Sequence, residues 1–365
     1  MAEVSDTARR LDVASTSAPA RLPYPPSWLD RLTDRVDRLP GPAWAYYVGF
    51  GLVLLLAQVI VKWSDGTYAS GFVFYHLIYA GTPANLLGSL HYVDRVAAQA
   101  FDSYRPATTL DDAQAREYRY RLTTMPALPA LVATALGALW GLMPWNAYLP
   151  EEARLLGLYT STAGTILDRG TSVLGWALAG LFIYHTVHQL RIVSHLLARH
   201  TTINLFKLAP LYAFSRLTGI TAVGLTIGFY AFASFRLALP EEVDINTGTV
   251  INSGIFTLVA IVTFVLPLWG VHRLLQREKE RLQGESAGRL QGLLDELHRR
   301  LEARDTTGAP EYKDLLDSAL AERDLLNKLP TWPWQTETVR LVGTALVLPI
   351  ALFIIQQVLE RLLGL

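Results

Sequence analysis

The chain has 365 residues, 51% of them hydrophobic and only 18% charged, against about 25% charged in soluble domains, and its mean hydropathy is +0.25. Its 32 basic and 32 acidic residues cancel, which excludes a dedicated nucleic-acid binder, whose affinity rests on excess Lys and Arg. It has no cysteine, which excludes disulfides, thiolate metal sites and a cysteine nucleophile.

Residues 1–26 are rich in Ala, Ser, Pro and Arg, end in Tyr24-Pro25-Pro26 and lack an apolar run. They predict a disordered tail, not a secretory signal. From Ser27 to Leu39, Trp28, Leu29, Leu32, Val36 and Leu39 recur at helical spacing against Arg31, Arg35 and Arg38. This predicts an amphipathic helix over 27–40 lying in a membrane interface.

Long apolar blocks follow at Ala43–Val61, Met125–Met143, Thr171–Ile192, Leu217–Phe235, Val250–Val271 and Val339–Val358. Each approaches the ~20 residues that cross a ~30 Å hydrocarbon layer. A further block, Gly71–Val93, is interrupted by His76, Pro83, Asn85 and His91, and charge decides it. Met1–Pro40, Asp94–Leu122, Val193–Arg216 and His272–Pro330 hold most of the Arg and Lys, while Trp63–Ser70, Pro144–Gly170 and Leu237–Thr249 hold few. Basic loops stay in the cytoplasm, so Gly71–Val93 has to return through the membrane. The expected fold is an all-α polytopic transmembrane bundle of seven spans over 41–271 and 331–365, with the N-terminus in the cytoplasm. The alternative has six spans, makes Gly71–Val93 interfacial or re-entrant, and puts Asp94–Leu122, with its five Arg, outside. Trp44, Trp63, Trp140 and Trp145 lie near block ends, where indole suits the headgroup boundary.

Small residues predict where helices approach closely: Ala133, Gly137 and Gly141 form one ridge, and Gly224 and Gly228 another. Pro267 and Pro349 predict kinks.

After Val271 the sequence turns charged without a helix stop, so the span is expected to run on into a cytoplasmic antiparallel hairpin over 272–330. Leu290, Leu294, Leu297 and Leu301 follow 4-3-4 spacing, and Leu315 and Leu320 lie on the second arm. These leucines are the expected surface for a second copy of the chain or for a cytoplasmic or membrane partner. Trp332 and Trp334, beside Pro330 and Pro333, are expected to anchor the re-entry of the last span.

Three polar features carry candidate chemistry. His185, His188 and His195 fall within about an 80° arc of one helix, the pattern of a metal or haem site, but no HExxH and no neighbouring acid completes it. The competing reading is interfacial or packing histidine, so no cofactor is expected. His76, Pro83, Asn85 and His91 resemble the broken stretches that line transporter cavities, and with His185 they are expected to meet inside the bundle. The loop Thr201–Arg216 is apolar enough to lie in the interface with Phe214 inserted. No P-loop or kinase signature is present, and the middles of the apolar blocks contain no Asp, Glu, Lys or Arg, since Arg191 and Arg340 lie at block ends. The leading expectation is a non-catalytic membrane protein, in contact with the lipid bilayer, whose hairpin mediates oligomerisation, partner binding or sensing. The alternatives are a channel or transporter for ions or small solutes, and an enzyme or haem protein using the histidine cluster.

Overall fold

The computed structural model describes residues 22–73, 75–147, 150–200, 247–305 and 307–331, and a few single positions near 214–221 and 340–344. Most of the spans expected at Leu217–Phe235 and Val339–Val358, most of the loop Thr201–Arg216, the ridge at Gly224 and Gly228, and the anchors Trp332 and Trp334 lie outside these residues. Among the described residues the chain is all-helical, with a lone β-bridge between Pro26 and Pro126.

The helices, in order, are α1 (Trp28–Asp37), α2 (Ala43–Ser64), α3 (Tyr75–Tyr104), α4 (Asp112–Thr123), α5 (Ala127–Leu142), α6 (Pro150–Leu155), α7 (Thr162–Arg199), α8 (Thr247–Glu302) and α9 (Ala309–Lys328). Their starts are written in the sequence. Ser27 caps α1 in a reciprocal box with Asp30, Asp111 does the same for α4 with Gln114, and the Ser161 hydroxyl accepts from Gly164 N–H at 3.0 Å to open α7.

Ala43–Ser64 and Thr162–Leu197 are long and apolar enough to cross a membrane, while Ala127–Leu142 is apolar but shorter. Helix α2 leaves Val48, Leu52, Val53, Leu56 and Ile60 exposed, and α5 leaves Leu128, Leu131, Leu136 and Leu139 exposed. Contiguous apolar faces of this kind mark surfaces covered by lipid or by another protein. Trp44 and Trp63, both exposed, sit nineteen residues apart on α2, roughly 28 Å of helix, close to the thickness of a hydrocarbon layer.

Helix α3 runs antiparallel to α2: a Cβ on Gly51 would lie 3.2 Å from Ala84 Cβ, and one on Gly88 3.6 Å from the Tyr47 ring. The stretch at Pro83 is not broken. Helix α3 continues through it, with Thr82 Oγ1 donating to Ile78 O at 2.9 Å. Helices α3 and α7 lie parallel, since Tyr79 meets Asp168 and Asp94 meets His185. Helices α5 and α7 pack antiparallel through the predicted small-residue ridge. A Cβ on Gly137 would fall 2.3 Å from Trp176 O, one on Gly180 2.8 Å from Ala133 O, and one on Gly141 2.9 Å from the Trp176 side chain. Glycine is required here by proximity, not by backbone conformation.

Helix α1 does not lie free. Leu29 is fully buried in a core with Tyr47, Leu90, Met125, Leu181 and Phe182, and Trp28, Leu32 and Val36 pack on that core. The amphipathic stripe read as lipid-facing therefore covers one end of the bundle, called the base below. Residues placed in the tail join it: the Tyr24 hydroxyl donates to Thr124 O at 2.8 Å, and Tyr120 donates to Tyr24 O at 2.8 Å. Beyond the base, Val96, Phe101 and Tyr104 of α3, Ala115 and Leu122 of α4, Val193 and Leu197 of α7, and Leu275 of α8 form a further core. Phe214, expected to insert into lipid, is fully buried there against Tyr104, with ring centroids 4.9 Å apart. This core is why α3 and α7, at 30 and 38 residues, exceed the length of a bilayer crossing.

Helix α8 is one 56-residue helix, roughly 84 Å long. It packs on α7 and then pairs with α9. Arg289 pairs with Glu322, Gln283 donates to Asn327 Oδ1 at 2.8 Å, and Lys279 donates to Asn327 O and Leu329 O at 2.7 and 2.8 Å. Gly308, with φ +72°, makes the turn between the arms.

Candidate functional site

At the end opposite the base, α2, α3 and α7 converge under a cap made by residues 65–73 and 150–161. Lys62 Nζ donates to Asp168 Oδ2 at 2.8 Å, and neither side chain has any exposed surface. A second donor, Tyr159 N–H, reaches the same oxygen at 2.8 Å. The other carboxylate oxygen, Oδ1, is buried and has no hydrogen-bond partner. Tyr159 holds φ +56°, a left-handed conformation uncommon for a non-glycine residue, and two residues earlier Gly157 has φ +61°. The strain is spent on aiming the Tyr159 amide at Asp168.

Local sequence explains the convergence. On α2, Tyr47, Gln58 and Lys62 are buried and fall on the stripe that includes Gly51. On α7, Asp168, Thr171, Leu178, Phe182, His185 and Gln189 are buried at steps of three, four or seven residues, so one face of the helix turns inward. Gly164 leaves room for the ammonium: a Cβ there would lie 3.0 Å from Lys62 Nζ.

A hydrogen-bonded chain links the pair to the surface. Lys62 donates to Thr160 Oγ1 at 3.3 Å, and the Thr160 hydroxyl donates to Asp65 Oδ2 at 2.5 Å. Asp65 also accepts from Ser161 Oγ at 3.0 Å and from Thr67 N–H at 3.1 Å. Burial works against its charge, but these donors prevail and hold the Asp65 carboxyl at about 2, below the usual carboxylate range. On the flank, Tyr68 OH bonds His76 Nδ1 at 2.5 Å, and burial, reinforced by Asp168 and Asp65, pushes the Tyr68 phenol up to about 12. Tyr79 OH donates to Asp168 O at 2.7 Å, and Arg169 stacks over the Tyr159 ring at 5.0 Å. One turn below Lys62, the Gln58 amide is fully buried and neither of its polar atoms has a hydrogen-bond partner.

The residues singled out in the sequence do not form one centre. His76 belongs to this cap, with its ring 3.5 Å from a Cβ placed on Gly157. His91 lies at the base, where Tyr47 OH bonds its Nδ1 at 2.8 Å and Asp37 Oδ2 faces its Nε2 at 3.1 Å. Partial burial opposes ionisation of Asp37, but hydrogen bonds from Arg95 and His91 hold its carboxyl below the usual range. Asn85 is exposed and Pro83 buried, because two residues along a helix is a turn of about 200°.

His185, His188 and His195 share a helix face but meet different neighbours. His185 Nε2 faces Asp94 Oδ1 at 2.8 Å, so an acid does reach this stretch, from α3 rather than from nearby sequence. His188 Nε2 lies 3.0 Å from Arg121 O and 3.2 Å from Tyr24 OH, and His195 Nδ1 bonds Tyr118 OH at 2.7 Å. Among the described residues no three of His, Asp and Glu gather as a metal site would require.

On the hairpin, Leu290 is buried and Leu297 half-buried, while Leu294, Leu301, Leu315 and Leu320 are exposed. The part of the seam nearest the bundle is covered, and cover is lost toward the tip.

Sequence reasoning missed Lys62 and Asp168. One apolar block ends at Val61, just before Lys62, and another begins at Thr171, which leaves Asp168 in the intervening segment Pro144–Gly170. This is also where the expectation that the spans carry no charge fails: both helices long enough to cross a membrane contain one partner of the pair. Compared with protein-family models, curated proteins and solved structures, the chain matches none.

Proposed function

We propose that the chain is a multi-pass membrane protein that carries a small ion or polar solute, and that the Lys62–Asp168 centre between α2, α3 and α7 is its binding site. The observation supporting this most is the complete burial of that ion pair. A buried pair gives little net stability over apolar residues of the same size, so its presence in an otherwise greasy bundle points to use. In this reading the chain crosses seven times, with the basic base and hairpin in the cytoplasm and the Lys62–Asp168 cap outside. The return of α3 alongside α2 supports the second crossing. Purified protein reconstituted in liposomes tests the reading: flux of sodium, potassium or protons under an imposed gradient is expected, and Lys62→Ala and Asp168→Asn are expected to abolish it. A bilayer that stays tight under every gradient refutes it.

A second reading, partner binding or self-association through the hairpin, is supported by the exposed leucines near its tip and by α8, which joins the bundle to the hairpin without a break. Deleting residues 276–328 tests it. Unchanged assembly state and co-purifying proteins would remove it.

A further inference from the structure

We infer that Asp168 is the carboxylate of a site for a small monovalent cation of sodium or lithium size, and that the Lys62 ammonium is its built-in competitor, displaced toward Thr160 and Asp65 when the cation binds. The inference rests on the carrier reading and names its substrate class.

The geometry at Asp168 is half used. Oδ2 receives Lys62 and the Tyr159 amide, while Oδ1 is buried with no partner. Gln58, on the same face of α2 as Lys62 and one turn away, buries an amide oxygen with no partner as well. Buried polar atoms are rarely left unsatisfied, so a carboxylate oxygen and an amide oxygen orphaned in one region ask for an occupant. Both are hard oxygen acceptors, which suits a hard cation. The free carboxylate capacity amounts to one negative charge already shared with Lys62, too little for a divalent ion, which draws on several carboxylates.

Displacement has somewhere to go. Lys62 Nζ already touches Thr160 Oγ1 at 3.3 Å, and that hydroxyl leads to Asp65, a second carboxylate. Lys62 with Asp168 and Asp65 sums to one net negative charge, so one further cation neutralises the group. Arg169 is engaged on the Tyr159 ring, and Arg154 is a further cation of the cap, on its short helix Pro150–Leu155 with Glu151 and Glu152.

The test uses the full-length protein in detergent, heated in sodium, lithium, potassium or choline chloride at equal ionic strength and fixed pH. A saturable rise of the unfolding midpoint in sodium or lithium over choline is expected for the wild type. Lys62→Ala, which removes the competitor, is expected to unfold earlier in choline and to be restored by sodium at concentrations about ten-fold lower than those acting on the wild type. Asp168→Asn is expected to lose the response. The paired variant Lys62→Gln/Asp168→Asn, neutral at both positions, is expected to fold without any cation response. Identical midpoints in all four salts for both the wild type and Lys62→Ala overturn the inference and leave the pair a structural clamp. So does a cation response that persists in Asp168→Asn. A cation response without flux in liposomes keeps the site and ends the carrier reading; flux without the response does the reverse.

Discussion

Replacing Lys62 by Met keeps the aliphatic stem and removes the ammonium. The Asp168 carboxylate is then left with the Tyr159 N–H on Oδ2 and nothing on Oδ1, at zero exposure. Removing one partner of a fully buried pair costs about 3–5 kcal/mol, because the other charge stays behind undischarged. Asp168→Leu strands the ammonium with only Thr160 and costs a similar amount, about 3–5 kcal/mol. If the two losses were independent, the double variant would lose about 6–10 kcal/mol, close to the whole stability of an ordinary domain. They are not expected to be independent, since each single loss is mostly a charge left alone. With both charges gone, what remains is the lost hydrogen bonds to Thr160 and the Tyr159 amide, about 1 kcal/mol each. The double variant is therefore expected to lose only about 2 kcal/mol, giving a coupling of roughly 4 kcal/mol or more. Denaturant titration of the purified protein in mixed micelles, followed by tryptophan fluorescence, measures all four corners of the cycle. Additive losses, with a coupling under about 0.5 kcal/mol, would refute the claim that the two side chains meet out of water.

Three further outcomes follow from the same geometry. Gly137→Val forces a side chain into Trp176 O and is expected to destabilise by about 2 kcal/mol or more, whereas Gly49→Ala, which meets nothing within 4 Å inside α2, should be neutral or stabilise by up to about 1 kcal/mol; thermal unfolding compares them. The depressed Asp65 carboxyl contributes stability above its unfolded value of 3.8, and that contribution fades as pH falls toward about 2, so the stability gap between wild type and Asp65→Asn should be full at pH 5 and close on acidification. A single cysteine at position 108 of this cysteine-free chain should react with an impermeant reagent only after cells are opened, and one at position 66 in intact cells; labelling at 108 from outside would reverse the orientation and end the seven-crossing layout.

The apolar blocks were legible because a long apolar helix announces itself by length and composition alone, and α2, α5 and α7 lie where those blocks fall. The Ala133–Gly137–Gly141 ridge was legible because it acts through the smallness of single residues. Partnership was not legible. Nothing in the sequence near Asp168 indicates Lys62, 106 residues away, and a hydropathy block ends where charge begins even when the helix continues. One signal was present: Asp168, Thr171, Leu178, Phe182, His185 and Gln189 fall at steps of three, four or seven residues, all on one helix face, and extending that stripe backward past Thr171 turns Asp168 inward. The reading of Asn85 failed for the opposite reason. Its neighbour Pro83 suggested a break, and an unbroken helix rotates Asn85 away from the interior.

Helices α3 and α7 run parallel and carry a polar centre at each end. Tyr79 and Asp168 meet near the cap, and Asp94, His185 and Gln189 meet near the base. The separations, fifteen residues on α3 and seventeen on α7, amount to roughly 22–26 Å of helix. Between them the two helices turn Leu87, Leu90, Leu178, Leu181 and Phe182 into one closed apolar core. A cation held at Asp168 therefore faces an apolar barrier before it can reach Asp94, and a static bundle would hold it where it is. Passage requires α7 to move relative to α2 or α3, and the Lys62–Asp168 bond, with the Tyr79–Asp168 and Ser161–Asp65 contacts beside it, resists such movement at the cap. Neutralising Asp168 with a bound cation weakens that bond at the moment the site is loaded. Binding and release of the helices are thus one event, which an alternating carrier needs and a permanently open channel does not.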